Sequence, residues 1–438
     1  MRDLKSEVVQ IYLETLKRID VETLVRDKVR LNGDLLLIGD DPVDLARFDE
    51  IVLVGLGKAS LRMGHAVLSL IGDRITRGIL VSDRRWDLTI PDRIKMIVGG
   101  HPIPNANSIE AGGLMLEEVR SCADRTLLVF LISGGGSALA ELPISDTISL
   151  QDLQALNQSL IVSGANIHEI NIVRKVLSRT KGGRTGYLAR KTMTIALYLS
   201  DVNSGDVRAI ASNPVQPDEV GLEQFHQILS RYRLIEVLPT SIRRVIEECD
   251  LTIPRGWQFE NGFTQLLVGD NAGAIRAAVA VASSRGFRVR VRDDLVEDDY
   301  PRIADEMAQS LSKLKHENPD EVVCVISGGE ARCPVRGSGV GGRNQEFVLY
   351  SAASLGHCGL GSRAVAFAAG TDGIDGNSGA AGAAIDGGAT KRAAQRNQNT
   401  SVYFDDSDSN SFFSEAGGLV VTGPAGNNVR DLRIMLAR

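Results

Sequence analysis

Residues 127–138 read LLVFLISGGGSA, an apolar run of strand length that ends in a serine and three consecutive glycines. Other apolar runs at 51–55, 78–83 and 193–201 also end in Gly or Asp, and helix-length segments lie between the runs. Polar residues do not alternate with apolar ones inside the runs, which is typical of strands that are covered on both faces. The sequence therefore predicts an α/β protein with mainly parallel sheets.

The chain holds a second copy of this pattern, EVVCVISGGEAR, at 321–332. The copies lie about half a chain length apart, and 438 residues exceed what one hydrophobic core usually contains. We therefore predict two three-layer, Rossmann-like α/β domains, over 1–240 and 241–438. A chance likeness between two ordinary strand-end turns is the alternative explanation of the repeat.

Composition excludes several classes of protein. The net charge is −6, with 43% hydrophobic and 24% charged residues, which is globular and argues against a nucleic-acid or anionic-membrane partner. The N-terminus lacks the apolar core of a signal peptide, and no run approaches the ~18 apolar residues of a membrane span. Five cysteines without CxxC spacing argue against a zinc site and disulfides, so we expect a cytoplasmic protein.

Two glycine-rich loops follow apolar runs in the first half of the chain. Residues 55–60 read GLGKAS, where backbone N–H groups, a helix start and the charge of Lys58 together suit an anion. The loop is not a Walker A motif, and Ser60 replaces the third glycine of a dinucleotide fingerprint. Residues 133–137 read SGGGS, and three glycines at a strand end favour the close approach of a ligand. A plain strand-to-helix turn and a flexible turn are the alternatives.

Acidic residues end several other strands. Asp201 follows MTIALYL and is interpreted as a metal ligand or base, whereas Asp270 precedes a helix and is predicted to be an N-cap. Residues 370–376 read GTDGIDG, where two aspartates suit a hard cation or a catalytic base, with an Asx-rich turn as the alternative. His101 and His168 are isolated, and we expect them to make structural hydrogen bonds, with a catalytic role as the alternative.

Arginines concentrate in the segment 327–346, SGGEARCPVRGSGVGGRNQE. Arginine binds carboxylate or phosphate through two parallel hydrogen bonds, and glycines lead into Arg343 where a helix is expected to begin. An anion site is therefore predicted here, with a solvated loop as the alternative. Together with Lys58 and the strand-end acids, the pattern fits phosphoryl transfer, in which catalysis is mostly positioning and charge neutralisation.

The chain resembles the class II glycerate 2-kinase family through seven motifs in order, which are VGLGKAS, GGHPIPNANS, LISGGGSAL, HEINIVRKVLSRTKGG, ISGGEARCPVRGSGVGGRNQE, AGTDGIDGNSGAAGA and DSNSFF…TGPAGNNVRDL. The match runs from about residue 5 to 432, and its C-terminal part resembles the MOFRL domain. Many family members carry an older label, hydroxypyruvate reductase. The resemblance implies phosphorylation of D-glycerate at the 2-hydroxyl with ATP and Mg²⁺, giving 2-phosphoglycerate. It also implies two α/β domains with the active site in the cleft between them.

The resemblance carries roles over to particular residues. Lys58 and Arg343 match the family's key cationic residues, and Asp201 and Asp372 match its strand-end acids. These acids are predicted to hold the metal and to supply the base, and the choice of base stays open. We predict that the four residues line one interdomain cleft. The glycine-rich loops and nearby side chains are predicted to bind the nucleotide through Gly55, Gly57, Ser133, Gly134, Gly135, Gly136, Ser137, Asn271, Gly328, Gly329 and Glu330.

Two departures from the family pattern leave the exact hydroxy acid open. Residues 203–218 read NSGDVRAIASNPVQPD, with Asn213 where glycine is usual, and a later DSY-type motif is DSN at 408–410. Both are expected in loops that face ligand. The alternatives are an NAD(P)-dependent hydroxypyruvate reductase, a kinase of a related sugar acid and a non-catalytic sugar-phosphate-binding regulator. A hydroxy-acid substrate and a nucleotide are the predicted partners, and a homodimer is left open.

Overall fold

The computed structural model describes residues 3–202, 206–294, 297–395 and 399–438. The chain forms two compact units, which we call the C-terminal unit (Met1–Asp20, Asp201–Ser204 and Gly269–Arg438) and the central unit (Val21–Ser200 and Gly205–Val268). The predicted boundaries put the N-terminal helix in the first domain and residues 241–268 in the second. In the structure, the helix belongs to the C-terminal unit and residues 241–268 belong to the central unit. The domains 1–240 and 241–438 stay a prediction.

The chain begins with two helices and a small antiparallel sheet. The first helix, α1 (Leu4–Arg18), belongs to the C-terminal unit, and the Asp3 side chain caps it by accepting a hydrogen bond from the Lys5 backbone N–H. In the central unit, α2 (Val21–Lys28) leads into an antiparallel three-stranded sheet, whose strands are β1 (Val29–Asn32), β2 (Leu35–Ile38) and β3 (Asp41–Asp44).

The core of the central unit is a six-stranded sheet, whose strands are β4 (Glu50–Leu56), β5 (Arg77–Ser82), β6 (Ile94–Val98), β7 (Thr126–Ser133), β8 (Met193–Leu199) and β9 (Phe263–Gly269). Its order is β6-β5-β4-β7-β8-β9, and neighbouring strands from β4 to β8 run parallel. Every residue of β7 is buried, as expected for a strand without polar alternation. The predicted parallel sheet is confirmed in this unit.

Helices connect these strands and build a second core. The helices are α3 (Ser60–Ile71), α4 (Ala106–Arg120), α5 (Gly136–Leu139), α6 (Leu150–Val162), α7 (Ile167–Val176), α8 (Arg184–Leu188), α9 (Leu222–Arg231), α10 (Leu234–Val237) and α11 (Thr240–Glu248), with 3₁₀ turns at Leu45–Arg47, Gly72–Arg74 and Val207–Ser212. Leu160, Val173, Phe225 and Ile242 pack together from α6, α7, α9 and α11. This helical core is separate from the sheet that carries the glycine loops.

The sheet of the C-terminal unit is mixed. Its strands are β10 (Arg288–Val291), β11 (Val323–Gly329), β12 (Ala364–Gly370), β13 (Gly382–Asp386), β14 (Leu419–Val420) and β15 (Asp431–Ala437), in the order β10-β11-β15-β12-β13-β14. Only β10 and β11 pair in parallel, because the last strand, β15, inserts antiparallel between β11 and β12. The prediction of mainly parallel strands is therefore wrong for this sheet.

Helices pack against this second sheet. They are α12 (Asn271–Ser284), α13 (Tyr300–Glu317), α14 (Arg343–His357), α15 (Ala389–Gln395), α16 (Thr400–Asp405) and α17 (Ser409–Ala416), with a 3₁₀ turn at Gly361–Arg363. Helices α13 and α14 share a core with Val325 and Met435, while α1 contacts α12, β12 and β15. No helix within the described ranges combines the length and apolar character that crossing a bilayer requires.

Candidate functional site

The two glycine loops of the central unit bind each other. The Lys58 backbone N–H donates to the Gly134 carbonyl at 2.9 Å, and the Ala59 N–H donates to Ser133 Oγ at 3.0 Å. Gly57 has a φ of +119°, and a side chain there would overlap Ser133. The loops meet because β4 and β7 are parallel neighbours, so their carboxyl ends lie at one edge of the sheet. The sequence-predicted loop residues of this unit are thus brought together.

Lys58 lies beside His101, a histidine that the sequence predicts to make structural hydrogen bonds. A Cβ atom added to Gly135 would lie 3.2 Å from Lys58 Cγ and 3.1 Å from His101 Cδ2, so all three residues converge. Burial of the imidazole and the charge of Lys58 lower the pKa of His101 to about 4, and Asp83 opposes this shift. Because His101 as a whole is exposed, the charge of Lys58 accounts for this lower pKa better than burial does. His101 is therefore a neutral side chain next to Lys58.

The SGGGS loop is also held from its other end. Ser137 Oγ and Ser212 Oγ are 2.6 Å apart, and Ser212 Oγ donates to Asn171 Oδ1 at 3.2 Å. Ser212 lies in a run of three non-glycine residues with φ between 51° and 57°. Such left-handed conformations cost free energy unless their surroundings enforce them. The SGGGS loop therefore rests on a strained but well-bonded segment.

Asn213 has a structural explanation. Its φ is 54°, a region that glycine and asparagine tolerate better than other residues. Its Nδ2 donates to Asp218 Oδ2 at 2.8 Å and to the Gln216 carbonyl at 3.0 Å, and the residue is buried. The expectation that this departure faces ligand is wrong for Asn213. Residues 203–205, where the departure begins, lie outside the described residues.

The DSN departure likewise makes internal contacts. Asp408 Oδ1 accepts from the Val340 N–H at 3.0 Å, and Asn410 Nδ2 donates to Gln345 Oε1 at 3.1 Å. These bonds hold the glycine-rich segment that precedes α14. The 408–410 motif therefore positions that segment, and these contacts give no sign of a changed substrate.

Arg343 of the C-terminal unit is already bound by two carboxylates. Its Nε donates to Asp431 Oδ2 at 2.6 Å and its Nη2 to Asp431 Oδ1 at 3.0 Å, while Nη2 also reaches Glu330 Oε1 at 2.9 Å. Burial opposes the positive charge, but Asp431 and Glu330 outweigh it and raise the pKa of Arg343. The two parallel hydrogen bonds that were predicted for a ligand anion are thus made to Asp431. Of the three guanidinium nitrogens, Nη1 takes no part in the bonds to Asp431 and Glu330.

The start of α14 also holds an internal anion. The buried carboxylate of Asp375 accepts from the Asn344 N–H at 3.0 Å and from the Gln345 N–H at 2.9 Å, and both amide side chains donate to it as well. Burial raises the pKa of Asp375 to about 6, although these hydrogen bonds lower it. The helix-start N–H groups predicted for an external anion bind Asp375, which is therefore a cap and not a free metal ligand.

The two other predicted acids also belong to the C-terminal unit. Arg430 Nε donates to the Asp201 carbonyl, and the charge of Asp201 helps to raise the pKa of Glu330, which burial raises most. Asp372 Oδ1 accepts from the Ile374 N–H at 3.1 Å, and its charge adds to burial in raising the pKa of Tyr12. Lys58 belongs to the central unit, and the shared cleft stays a prediction.

A magnesium ion has a limited set of ligands here. The described part of the chain holds no group of three or more His, Cys, Asp or Glu side chains placed to enclose a metal. Mg²⁺ commonly uses one or two carboxylates together with substrate phosphates. Asp201 and Asp372 stay the predicted ligands for an ion that is bound in this way.

Asn271, Gly328 and Glu330 were predicted to contact nucleotide. In the structure, Asn271 Nδ2 donates to the Val429 carbonyl at 2.7 Å, and a side chain on Gly328 would overlap Asn271. Asp270 accepts from the Gly273 N–H at 2.7 Å, which confirms it as the N-cap of α12. Asn271 and Gly328 therefore hold the sheet edge, and of the three only Glu330 touches the predicted cation, Arg343.

A cavity of about 440 Å³ opens next to Arg343, and its walls include Ala331, Cys333, Val335, Glu346 and Asn377. It lies wholly within the C-terminal unit. Its lining comes mostly from the arginine-rich segment at 327–346, but nothing in the amino-acid sequence indicates that this segment encloses a cavity.

Two family models match the chain. The model described as a domain of unknown function (DUF4147) matches residues 7–247, and the model of the MOFRL family matches residues 323–431.

Relatives match over nearly the full length. The D-glycerate 2-kinase of Thermotoga maritima is 31% identical over 97% of this chain and 99% of its own, and the glycerate 2-kinase of Pyrococcus horikoshii is 30% identical over 99% and 97%. The crystal structure of the glycerate kinase from Thermotoga maritima superimposes with a TM-score of 0.83, at 30% identity and 99% coverage of both chains. A relative from Agrobacterium vitis, 36% identical over 88% of this chain and 86% of its own, bears the name of a hydroxypyruvate reductase.

Proposed function

Since the chain belongs to the family of the D-glycerate 2-kinases and carries the MOFRL domain, we propose that it transfers a phosphoryl group from ATP to the 2-hydroxyl of D-glycerate, giving 2-phospho-D-glycerate. The observation that carries the proposal is the Arg343 cluster. A guanidinium held by Asp431 and Glu330, with Asp201 close to Glu330, puts a fixed cation beside an acid. Phosphoryl transfer requires this combination.

The residues would divide the work as follows. The 2-hydroxyl oxygen attacks the γ-phosphorus, the bond from that phosphorus to ADP breaks, and the hydroxyl proton passes to a carboxylate. Asp201 and Asp372 are the candidates for that carboxylate, and the other acid would help to hold Mg²⁺, which neutralises phosphate charge. Lys58 and Arg343 Nη1 would stabilise the charge that builds up on the transferred group.

A second candidate, hydroxypyruvate reduction, is favoured only by the name of the relative from Agrobacterium vitis. One experiment separates the two. The purified chain is supplied either with ATP, Mg²⁺ and D-glycerate or with NADH or NADPH and hydroxypyruvate, and ADP formation or cofactor oxidation is followed. We expect turnover only with ATP, and phosphorus NMR should identify 2-phosphoglycerate. Cofactor oxidation without ADP formation would refute the kinase, and turnover only with a longer sugar acid would replace glycerate as substrate.

We also propose a cytoplasmic enzyme with small-molecule partners. All five cysteines are free thiols, in keeping with a reducing compartment. A homodimer stays open, and gel filtration with light scattering would decide it.

A further inference from the structure

The cavity beside Arg343 contains a buried acid with unused hydrogen-bonding capacity. The Glu346 side chain is only 3% exposed, and its Oε2 has no hydrogen-bond partner among the described residues. Arg336 Nη1 lies 3.7 Å from that oxygen, which is too far for a hydrogen bond. Buried polar atoms are nearly always hydrogen-bonded, so an orphaned atom in a cavity wall points to a ligand.

Glu346 is also a poor neighbour for phosphate. Burial raises the pKa of its carboxyl, although the nearby polar groups of Cys333 and Tyr300 and the charge of Arg336 lower it. A neutral carboxyl both donates and accepts, whereas an ionised one would repel an anion. The N–H groups at the start of α14 are occupied by Asp375. This wall of the cavity therefore suits an uncharged ligand group that carries both a donor and an acceptor.

The remaining walls suit a flat apolar group. Ala331, Cys333 and Val335 contribute apolar surface, and Val335 is 84% exposed. A volume of about 440 Å³ lies in the usual range of roughly 300–1,000 Å³ for small-molecule sites, and it exceeds what a three-carbon acid would fill. An aromatic heterocycle with polar atoms on one edge meets these conditions.

We propose that this cavity binds the adenine base of the nucleotide. The Glu346 carboxyl accepts a hydrogen bond from the N6 amine and donates one to N1, while the ring lies against Ala331, Cys333 and Val335. Arg343 lines the same cavity, so the phosphates would extend from the base toward its guanidinium. This assignment rests on the proposed kinase function for the identity of the nucleotide.

The test compares affinities for ADP and for inorganic triphosphate, measured by calorimetry on the full chain. Glu346→Leu removes both hydrogen bonds and should weaken ADP binding at least about tenfold, since a buried pair of this kind is worth that much. Glu346→Gln keeps one acceptor and one donor and should retain most of the affinity. Glu321→Gln is the matched control, because the Glu321 side chain is exposed and is not among the residues that line the cavity. Triphosphate affinity should not change in any of these variants.

A second variant guards against a folding effect of the leucine. Cys333→Phe fills the cavity and should also weaken ADP binding at least about tenfold, while Cys249→Phe, the same change at an exposed cysteine, should not. ADP affinity within twofold of wild type in both Glu346→Leu and Cys333→Phe would overturn the proposal. ADP binding that behaves as expected in a protein that does not phosphorylate glycerate would leave the base site standing and refute the kinase.

Discussion

At the scale of single residues, the charges of the C-terminal unit neutralise one another. Asp431 is buried and binds the fork of Arg343, and its charge also acts on the fully buried Arg433. Removing one member of such a buried set leaves an uncompensated charge, which costs more than the pair contributes. The geometry of Arg343 therefore matters as much as its charge.

Arg343→Lys tests that geometry. Lysine keeps the charge but cannot bind both Asp431 oxygens and Glu330 at once, so we expect kcat/KM for glycerate phosphorylation to fall about 10²-fold. Arg276→Lys, at an arginine whose side chain is 75% exposed, is the control. Wild-type turnover in Arg343→Lys would show that the planar guanidinium geometry has no role in catalysis.

Asp375 should give stability a distinct pH dependence. Its native pKa of about 6 lies above the ordinary 3.8, so the folded chain binds this proton more tightly than the unfolded chain. Its contribution to stability is then fully present below 3.8 and is lost as the pH rises through 6. The free energy of unfolding of wild type relative to Asp375→Asn should therefore fall by up to about 3 kcal/mol between pH 4 and 7. Urea titrations of both proteins would measure it, and a difference that rises with pH would contradict this.

At the scale of elements, the neighbouring strands β4 and β7 bring the two glycine loops together. Gly57 packs its backbone onto Ser133, and the Lys58 N–H binds Gly134. Two loops separated by more than seventy residues thus form one rigid edge. This edge positions Lys58, so a substitution of Gly57 should displace the lysine.

Gly57→Ala should be far more damaging than an alanine at another left-handed glycine. Gly33 has a φ of 62° with nothing within 4 Å of an added Cβ, so Gly33→Ala should cost only about 1 kcal/mol of backbone strain. Gly57→Ala adds a clash with the Ser133 backbone and should cost well over 2 kcal/mol as well as lowering activity. Chemical denaturation of both variants checks this, and equal losses would mean that the two loops can separate freely.

The sequence predicts residues of the candidate site only where it also predicts the direction of the strand that carries them. The carboxyl ends of parallel strands meet at one edge of a sheet, and this rule selects Lys58, Asp201 and Asp372 as candidates. It missed Asp431, which stands before the apolar run LRIMLA. Since β15 is antiparallel, its first residue lies opposite Gly329 and Gly370, the last residues of β11 and β12. Hydrophobic periodicity does not reveal strand direction, so Asp431 could not be ranked above other acids.

At the scale of the whole molecule, the sequence predicted two α/β halves, and the chain does form two compact units, although their division differs from the predicted one. Helix α1 accounts for part of the difference. Tyr12 is fully buried in the C-terminal unit, its hydroxyl donates to the Gly370 carbonyl at 2.6 Å, and its ring lies 5.0 Å from that of Phe367. An amphipathic pattern shows that a helix has a buried face but not which core receives it.

Tyr12 should therefore stabilise a sheet that is more than 300 residues away in sequence. Tyr12→Phe removes only the hydroxyl and should cost about 1 kcal/mol, whereas Tyr12→Ala should cost about 3–5 kcal/mol. Hydrogen exchange should show the loss in β12 and β15. Exchange that accelerates only in α2 and β1, which follow in the central unit, would contradict the assignment of α1.

The central place of β15 has a consequence for how the protein is made. Strands β11 and β12 have no direct pairing and are joined only through β15, which is synthesised after both. Until β15 arrives, each of these apolar strands presents an open edge, the condition under which nascent chains pair with the wrong partner. Contacts this distant in sequence also form slowly. The second half of the protein should thus depend most on chaperones during its synthesis, whereas in the central unit β4 pairs with β5 and β7, and β7 with β8, much earlier.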